Sequence, residues 1–333
     1  MTAPSLQWTT DILGPDFQSA PLPLGPDPDG EGDIYATLVH YAPDAQDTSQ
    51  RPALVWVHGM TDYFFQAHVA EFFHQHGYDF YAVDLRKCGR SHRSGQSWHY
   101  ISNLHHYGTD LNAALDALPN PQVGFIGHST AGPILALWVD SLRRTDPARY
   151  QRISCVIFNS PWLGMMGMSH GFYSVAKHAI FALGGLFPNA PLPGGNLTAY
   201  GESIHADHHG EWDFDLALKP LGGHPKKMGW IRAVFKAFDE IHSGAVTMGV
   251  PLLTLTSDHS ELGKPYSEAT NTADAIVDTA HSQRWAKELS AHYTLHVIPQ
   301  ARHDVFLSLT APREEACGAC LDWLDKVMPA ATT

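Results

Sequence analysis

A chain of 333 residues with 44% apolar and 17% charged residues holds enough hydrophobic material for a large core and too little charge for a disordered chain. Its formal charge of −13 leaves no basic footprint for a phosphate backbone, so nucleic acid is excluded as a partner class. Histidine is abundant at 22 residues, and protonating all of them would carry the charge from −13 to +9; solubility and activity are expected to respond to pH near about 6.

No stretch reaches the roughly 18 uninterrupted apolar residues of a membrane span. Met1 to Ala20 shows no basic segment followed by an apolar run, so the expected location is cytoplasmic, with membrane contact at most peripheral. Cys88, Cys155, Cys317 and Cys320 are too scattered for a disulfide framework. Cys317 and Cys320 form a C-x-x-C in what reads as the last helix, where their spacing puts two small buried hydrophobes on one face. The sequence carries no signal for an oligomeric state.

In chain order, Phe17 to Leu24 and Asp33 to Tyr41 read as an opening antiparallel hairpin joined by the turn-rich Gly25 to Gly32. Apolar runs at Ala53 to Val57, Phe80 to Val83, Val123 to Ile126 and Ile153 to Phe158 then alternate with helical patterns around Phe64 to His76, Tyr107 to Leu118 and Ala131 to Arg144. Short apolar runs without internal alternation, separated by helices, are what a parallel sheet covered on both faces requires. From Pro161 to about Thr247 the rhythm breaks, with no convincing buried strand. It returns with Leu252 to Thr256, a helix about His281 to Ser290, a strand Tyr293 to Ile298 and a last helix from about Glu314 to Val327. The expectation is one α/β core, residues 1–160 and 248–333, split by a cap inserted at 161–247.

Gly127-His128-Ser129-Thr130-Ala131-Gly132 falls between a predicted strand and a predicted helix. A sharp turn there lifts the Ser129 hydroxyl out of the sheet, and small neighbours let strand and helix approach. The pattern alone is weak; its placement, with Pro133 in the first helical turn, carries the argument. A serine hydroxyl needs a base and a group that orients the base, and both are expected at the carboxyl edge of the parallel strands. Asp258 follows the Leu252 strand at once and His303 comes five residues after the Tyr293 strand. Among competitors, His292 and His296 flank or occupy a strand, and Asp274 and Asp278 read as solvated-face residues. The expected triad is Ser129, Asp258 and His303. The oxyanion of acyl transfer needs two fixed amides; these are assigned to Thr130 and to Met60 in the loop His58-Gly59-Met60, with His58, Gly59, Gly127 and His128 in support.

These residues resemble the α/β-hydrolase superfamily, in particular its monoacylglycerol lipase and lysophospholipase-like branch, also classed with serine aminopeptidase-like hydrolases. The likeness rests on Val57-His58-Gly59-Met60, on Asp84-Leu85-Arg86-Lys87-Cys88-Gly89-Arg90-Ser91 against D-x-R-G-H-G-x-S, on Gly127-His128-Ser129, on Ser257-Asp258 and on Arg302-His303-Asp304. Two departures stand out: Lys87-Cys88 replaces Gly-His, and Ala131 replaces the second elbow glycine. The resemblance implies an α/β-hydrolase fold with a mostly parallel sheet, helices on both faces and an inserted cap. It also implies hydrolysis of small to medium apolar esters without cofactor or metal. Amide or C–C cleavage by the same triad is the neighbouring reading, and a non-catalytic small-ligand binder on the same fold is the reading from another class. Haloalkane dehalogenase and epoxide hydrolase branches are disfavoured, because the resemblance implies aspartate at their elbow. In the cap, Val175 to Phe187 with Trp162, Met165, Met166, Met168, Trp212, Phe214 and Trp230 is expected to bound an apolar pocket. His205-Ala206-Asp207-His208-His209 looks like a metal cluster by composition but reads as a solvated loop.

Overall fold

Among the described residues, nine strands form one sheet. The computed structural model describes residues 6–44, 47–165 and 170–330. Strands β1 (Thr9–Asp11), β2 (Gly14–Pro26) and β3 (Asp33–Tyr41) open the chain, followed by β4 (Ala53–Val57), α1 (Ala67–Gln75), β5 (Asp79–Asp84), α2 (Tyr107–Ala117) and β6 (Val123–His128). Then come α3 (Ala131–Thr145), the single turn α4 (Pro147–Tyr150) and β7 (Ile153–Asn159). Three helices without a described strand among them, α5 (His170–Leu186), α6 (Thr198–Ile204) and α7 (Met228–His242), separate β7 from β8 (Leu252–Ser257). The chain closes with α8 (Thr279–Lys287), β9 (Tyr293–Ile298) and α9 (Thr310–Val327).

The strand order is β1-β2-β3-β5-β4-β6-β7-β8-β9. The first three strands join antiparallel, β3 meets β5 antiparallel, and every pairing from β5 to β9 is parallel. Pro21 and Pro23 occur in β2 past Ser19, where β1 no longer covers its outer edge. An uncovered edge tolerates a residue without an amide hydrogen. The three-residue β1 escaped the sequence reading because it is too short to show a period.

All five residues of β4 are buried, and they divide between two cores as a period of two demands. Val55 and Val57 share one core with Leu111 of α2, Leu135 and Val139 of α3 and Ala286 of α8. Leu54 and Trp56 share the other with Val69 and Phe73 of α1 and Cys320 and Leu324 of α9. Truncating a side chain such as Phe125 or Trp56 there would cost about 3–5 kcal/mol. Helix α7 adds Val234, Phe235 and Phe238 to the first core, so the segment between β7 and β8 is anchored to the sheet layer through α3.

Candidate active site

The turn between β6 and α3 carries Ser129 with φ at +53°, in the left-handed region that a side chain occupies only when its surroundings hold it there. Those surroundings are hydrogen bonds: the Ser129 amide donates to the Asn159 carbonyl at 3.0 Å, and the Ser129 carbonyl accepts from Gly132 at 3.0 Å and Trp162 at 2.9 Å. The close approaches fall on Gly127 and Gly132. A Cβ on Gly127 would stand 2.5 Å from Leu135 Cδ1, and one on Gly132 would stand 2.6 Å from Pro161 Cβ. Ala131 is fully buried, and the tight contacts do not require a glycine at its position.

His303 Nε2 lies 2.9 Å from Ser129 Oγ. Its other nitrogen, Nδ1, lies 2.9 Å from Oδ2 of Asp274, not of Asp258. The expectation for Asp258 is corrected: its side chain is 40% exposed, lies 2.8 Å from His259 Nδ1 and accepts the Gln300 amide at 3.1 Å. Asp274 is fully buried, and its Oδ1 accepts the amides of Ile276 and Val277, each at 2.8 Å. A carboxylate fixed by two amides leaves one oxygen aimed at the imidazole. The physical reason for the miss is the long connection from β8 to α8: it runs past Asp258, returns as the bridge Ser260 to Asp274 and ends on Asp278. Asp278 caps α8 by accepting the His281 amide. The findable signal was Asp274 four residues before a helix cap, close to where the connection ends.

Asn159, the last residue of β7, ties the two loops together. Its side-chain amide donates to Asp304 Oδ1 at 2.7 Å and its side-chain oxygen accepts the Val305 amide at 3.0 Å. The other Asp304 oxygen accepts from Gln66 at 2.9 Å. His128 Nδ1 lies 3.2 Å from the Asn159 carbonyl, and burial pushes its pKa down to about 4, so it is neutral.

The loop after β4 approaches from the opposite side. A Cβ on Gly59 would stand 3.1 Å from Ser129 Cβ, so a side chain there would push the loop or Ser129 back by a few tenths of an ångström. His58 accepts the Leu85 amide at Nε2 (2.9 Å), and its Nδ1 lies 2.7 Å from the Gly59 carbonyl. That pair of contacts assigns the neutral Nδ1–H form. Gly59, Met60, His128, Ser129 and His303 line one narrow cavity with Phe214 and Tyr200, while Met60 and Thr130 both line a smaller cavity behind it.

The Asp84 to Ser91 element is a set of buried ion pairs. Arg86 pairs with Asp110 at 2.7 Å, Arg90 with Asp11 at 2.7 Å and Asp84 at 2.9 Å, and Lys87 with Asp27 at 2.5 Å and Glu31 at 2.9 Å. Lys87 in place of glycine thus locks the β2–β3 turn onto the end of β5. Among the residues expected in the cap, Phe214 reaches the Ser129 cavity, Trp162 and Trp230 pack in the α3 core, and Trp212 donates to the Leu307 carbonyl at 3.0 Å. Met166 and Met168 lie outside the described residues. Leu183 and Leu186 of α5, and Phe187 just beyond it, are exposed and do not line that cavity. His205 is buried against the Phe214 ring rather than solvated, whereas Asp207, His208 and His209 are exposed. Among the described residues no three His, Cys, Asp or Glu side chains converge as metal ligands, and no helix is long and apolar enough to cross a membrane.

A family model described as serine aminopeptidase, S33, matches residues 48–309. Solved structures with similar folds include the monoacylglycerol lipase of Paleococcus ferrophilus, at 18% identity and TM-score 0.62, covering 88% of this chain and 98% of that one. The monoglyceride lipase of Saccharomyces cerevisiae, bound to a substrate analogue, is 16% identical with TM-score 0.62 and covers 98% of each chain. Est1E from Butyrivibrio proteoclasticus, bound to ferulic acid, is 16% identical with TM-score 0.55, covering 89% and 96%. A search of curated proteins finds no significant match. The sheet order and the match over residues 48–309 place the chain in the serine aminopeptidase S33 family of α/β-hydrolases.

Proposed function

We propose that the protein is a serine hydrolase of carboxylic esters working through an acyl-enzyme. The observation that carries the reading is the unbroken relay of 2.9 Å contacts from Ser129 Oγ through His303 to Asp274. His303 Nε2 accepts the Ser129 proton as Oγ bonds to the ester carbonyl carbon, and Asp274 steadies the Nδ1–H and the transient imidazolium without taking the proton. The carbonyl oxygen becomes an oxyanion. The amides of Met60 and Thr130 are its donors, each worth about 10²–10³ in kcat in comparable sites. Collapse returns the His303 proton to the leaving alkoxide and leaves the acyl group on Ser129. A water that loses its proton to the same nitrogen then releases the acid and restores the hydroxyl.

Nothing in this cycle asks for a cofactor, and the ester is a small molecule that enters beside the helices of residues 161–247, which we assign as a cap. The same groups cleave amides, so the test carries both bond types. Intact mass after fluorophosphonate treatment, with turnover of p-nitrophenyl esters from short to long chains and of matched p-nitroanilides, is measured for the unaltered protein and Ser129→Ala. A single adduct and ester turnover, both absent from the variant, are expected. A folded protein that takes no adduct and turns over no ester would leave the fold as a ligand binder.

A further inference from the structure

Tyr200 and Lys219 stand in the wall of the Ser129 cavity without a part in the acyl-enzyme cycle. The Tyr200 ring sits edge-on to His303, with centroids 5.5 Å apart at 84°, and the residue is 5% exposed. Its hydroxyl is buried with no hydrogen-bond partner. A buried hydroxyl left unpaired has lost its hydration with nothing in return, and this one belongs to a residue that lines the Ser129 cavity. Lys219 is also buried, and its ammonium donates one of three N–H groups to Asp62 Oδ1 at 2.6 Å. The rings of Phe65, Tyr200 and Phe214 lie 5.0, 5.8 and 5.7 Å from that nitrogen. The Asp62 oxygen already accepts the Tyr63 amide as well. This wall therefore offers hydrogen-bond donors, and its nearby acceptor is engaged.

We infer that the ester carries a second, neutral hydrogen-bond acceptor, a ketone, ether or comparable oxygen near the scissile bond, held by the Tyr200 hydroxyl and the Lys219 ammonium. The inference rests on the proposed hydrolase reading and adds a substrate class to it. A carboxylate fits less well, because the Lys219 cation in this wall is already paired with Asp62 at 2.6 Å and leaves no uncompensated positive charge to receive it. Burial, with the charges of Asp304, Asp62 and Asp274 outweighing the opposing Arg302, holds the Tyr200 hydroxyl in its protonated, donating form. Leu197, Tyr200 and Ile276 line both this cavity and a wider cleft beyond it. Tyr200 thus stands where an incoming chain passes from the cleft to Ser129.

Two matched pairs test the inference: p-nitrophenyl 4-oxopentanoate against the pentanoate, and 2-methoxyethyl butanoate against butyl butanoate. Within each pair the ratio of kcat/KM is read, which cancels differences in folded fraction. In the unaltered protein at least one acceptor-bearing ester is expected to lead its partner by about tenfold, the worth of one hydrogen bond to a buried donor. That ratio is expected to fall toward one in Tyr200→Phe and in Lys219→Met. Ratios near one in both pairs overturn the inference, as does a preference that Tyr200→Phe leaves intact, and a larger preference for p-nitrophenyl hemisuccinate overturns its neutral form. Equal rates with a normal fluorophosphonate adduct remove this inference alone, whereas absence of both adduct and turnover removes the hydrolase reading with it.

Discussion

Replacing Asp274 by asparagine separates the acid that touches His303 from the acid that follows β8. Asp274 Oδ1 takes two amides at 2.8 Å and Oδ2 faces His303 Nδ1 at 2.9 Å. In Asp274→Asn the amides still require the oxygen, so the new NH2 points at the imidazole. His303 must then accept at Nδ1 and carry its proton on Nε2, which leaves the Ser129 hydroxyl without a base. A wrong tautomer in an otherwise intact triad costs on the order of 10⁴ in kcat. Asp258→Asn keeps an oxygen for the Gln300 amide and removes only the charge from an exposed contact with His259, and a change within about twofold is expected, as exposed pairs contribute little. The assay is kcat for a p-nitrophenyl ester in both variants, with the thermal midpoint recorded to show that each is folded. A larger loss in Asp258→Asn than in Asp274→Asn would refute the reasoning.

A methyl at Gly132 meets Pro161 at 2.6 Å, so Gly132→Ala is expected to lower unfolding free energy by about 1–3 kcal/mol in urea titrations; an unchanged midpoint would show that the turn yields freely. Lys87→Met leaves the buried Asp27 carboxylate without its cation, while the half-buried Glu31 keeps Lys227 at 3.7 Å. A loss of about 3–5 kcal/mol is expected, and a loss under about 1 kcal/mol in the same titration would contradict it. Burial lowers the pKa of His68 and His128 to about 4 and that of His99 to about 3, from the ordinary 6.5. The unfolded chain therefore binds protons that the folded one refuses, so stability is full above about pH 6.5 and falls by about 3 kcal/mol per imidazole as the pH drops toward 4. A urea midpoint that stays flat from pH 7 to 4.5 would count against neutral buried imidazoles.

The parallel core was legible because its strands are short, apolar and separated by helices. Asp33–Tyr41, Ala53–Val57 and Tyr293–Ile298 were read with the bounds they have in the fold. Ser129 and His303, the proposed nucleophile and base, were legible because each lies within a few residues of a strand end. The acid was not, because the chain between β8 and α8 makes an excursion that no local pattern records, and because a buried aspartate looks like a surface one until its partners are known. Lys87 was seen only as a departure from a motif. Its meaning depends on Asp27 and Glu31, which are distant in sequence and reach it through the β2–β3 turn. His205 misled for a similar reason: its histidine neighbours are exposed, while its own ring is packed on Phe214.

Asn159 serves as a common ruler for two loops. Its backbone sets the height of Ser129 and its side chain sets the loop that bears His303, so the Ser129–His303 distance is gauged from one strand end. Leu197, Tyr200, Phe214 and Lys219, which line the cavity, enter the chain only after that strand end. They can shift, or change in sequence, without stretching the gauge. Under the proposed function, substrate choice and proton transfer are therefore separable: the cavity wall can be redrawn for a different ester while Ser129 and His303 keep their spacing.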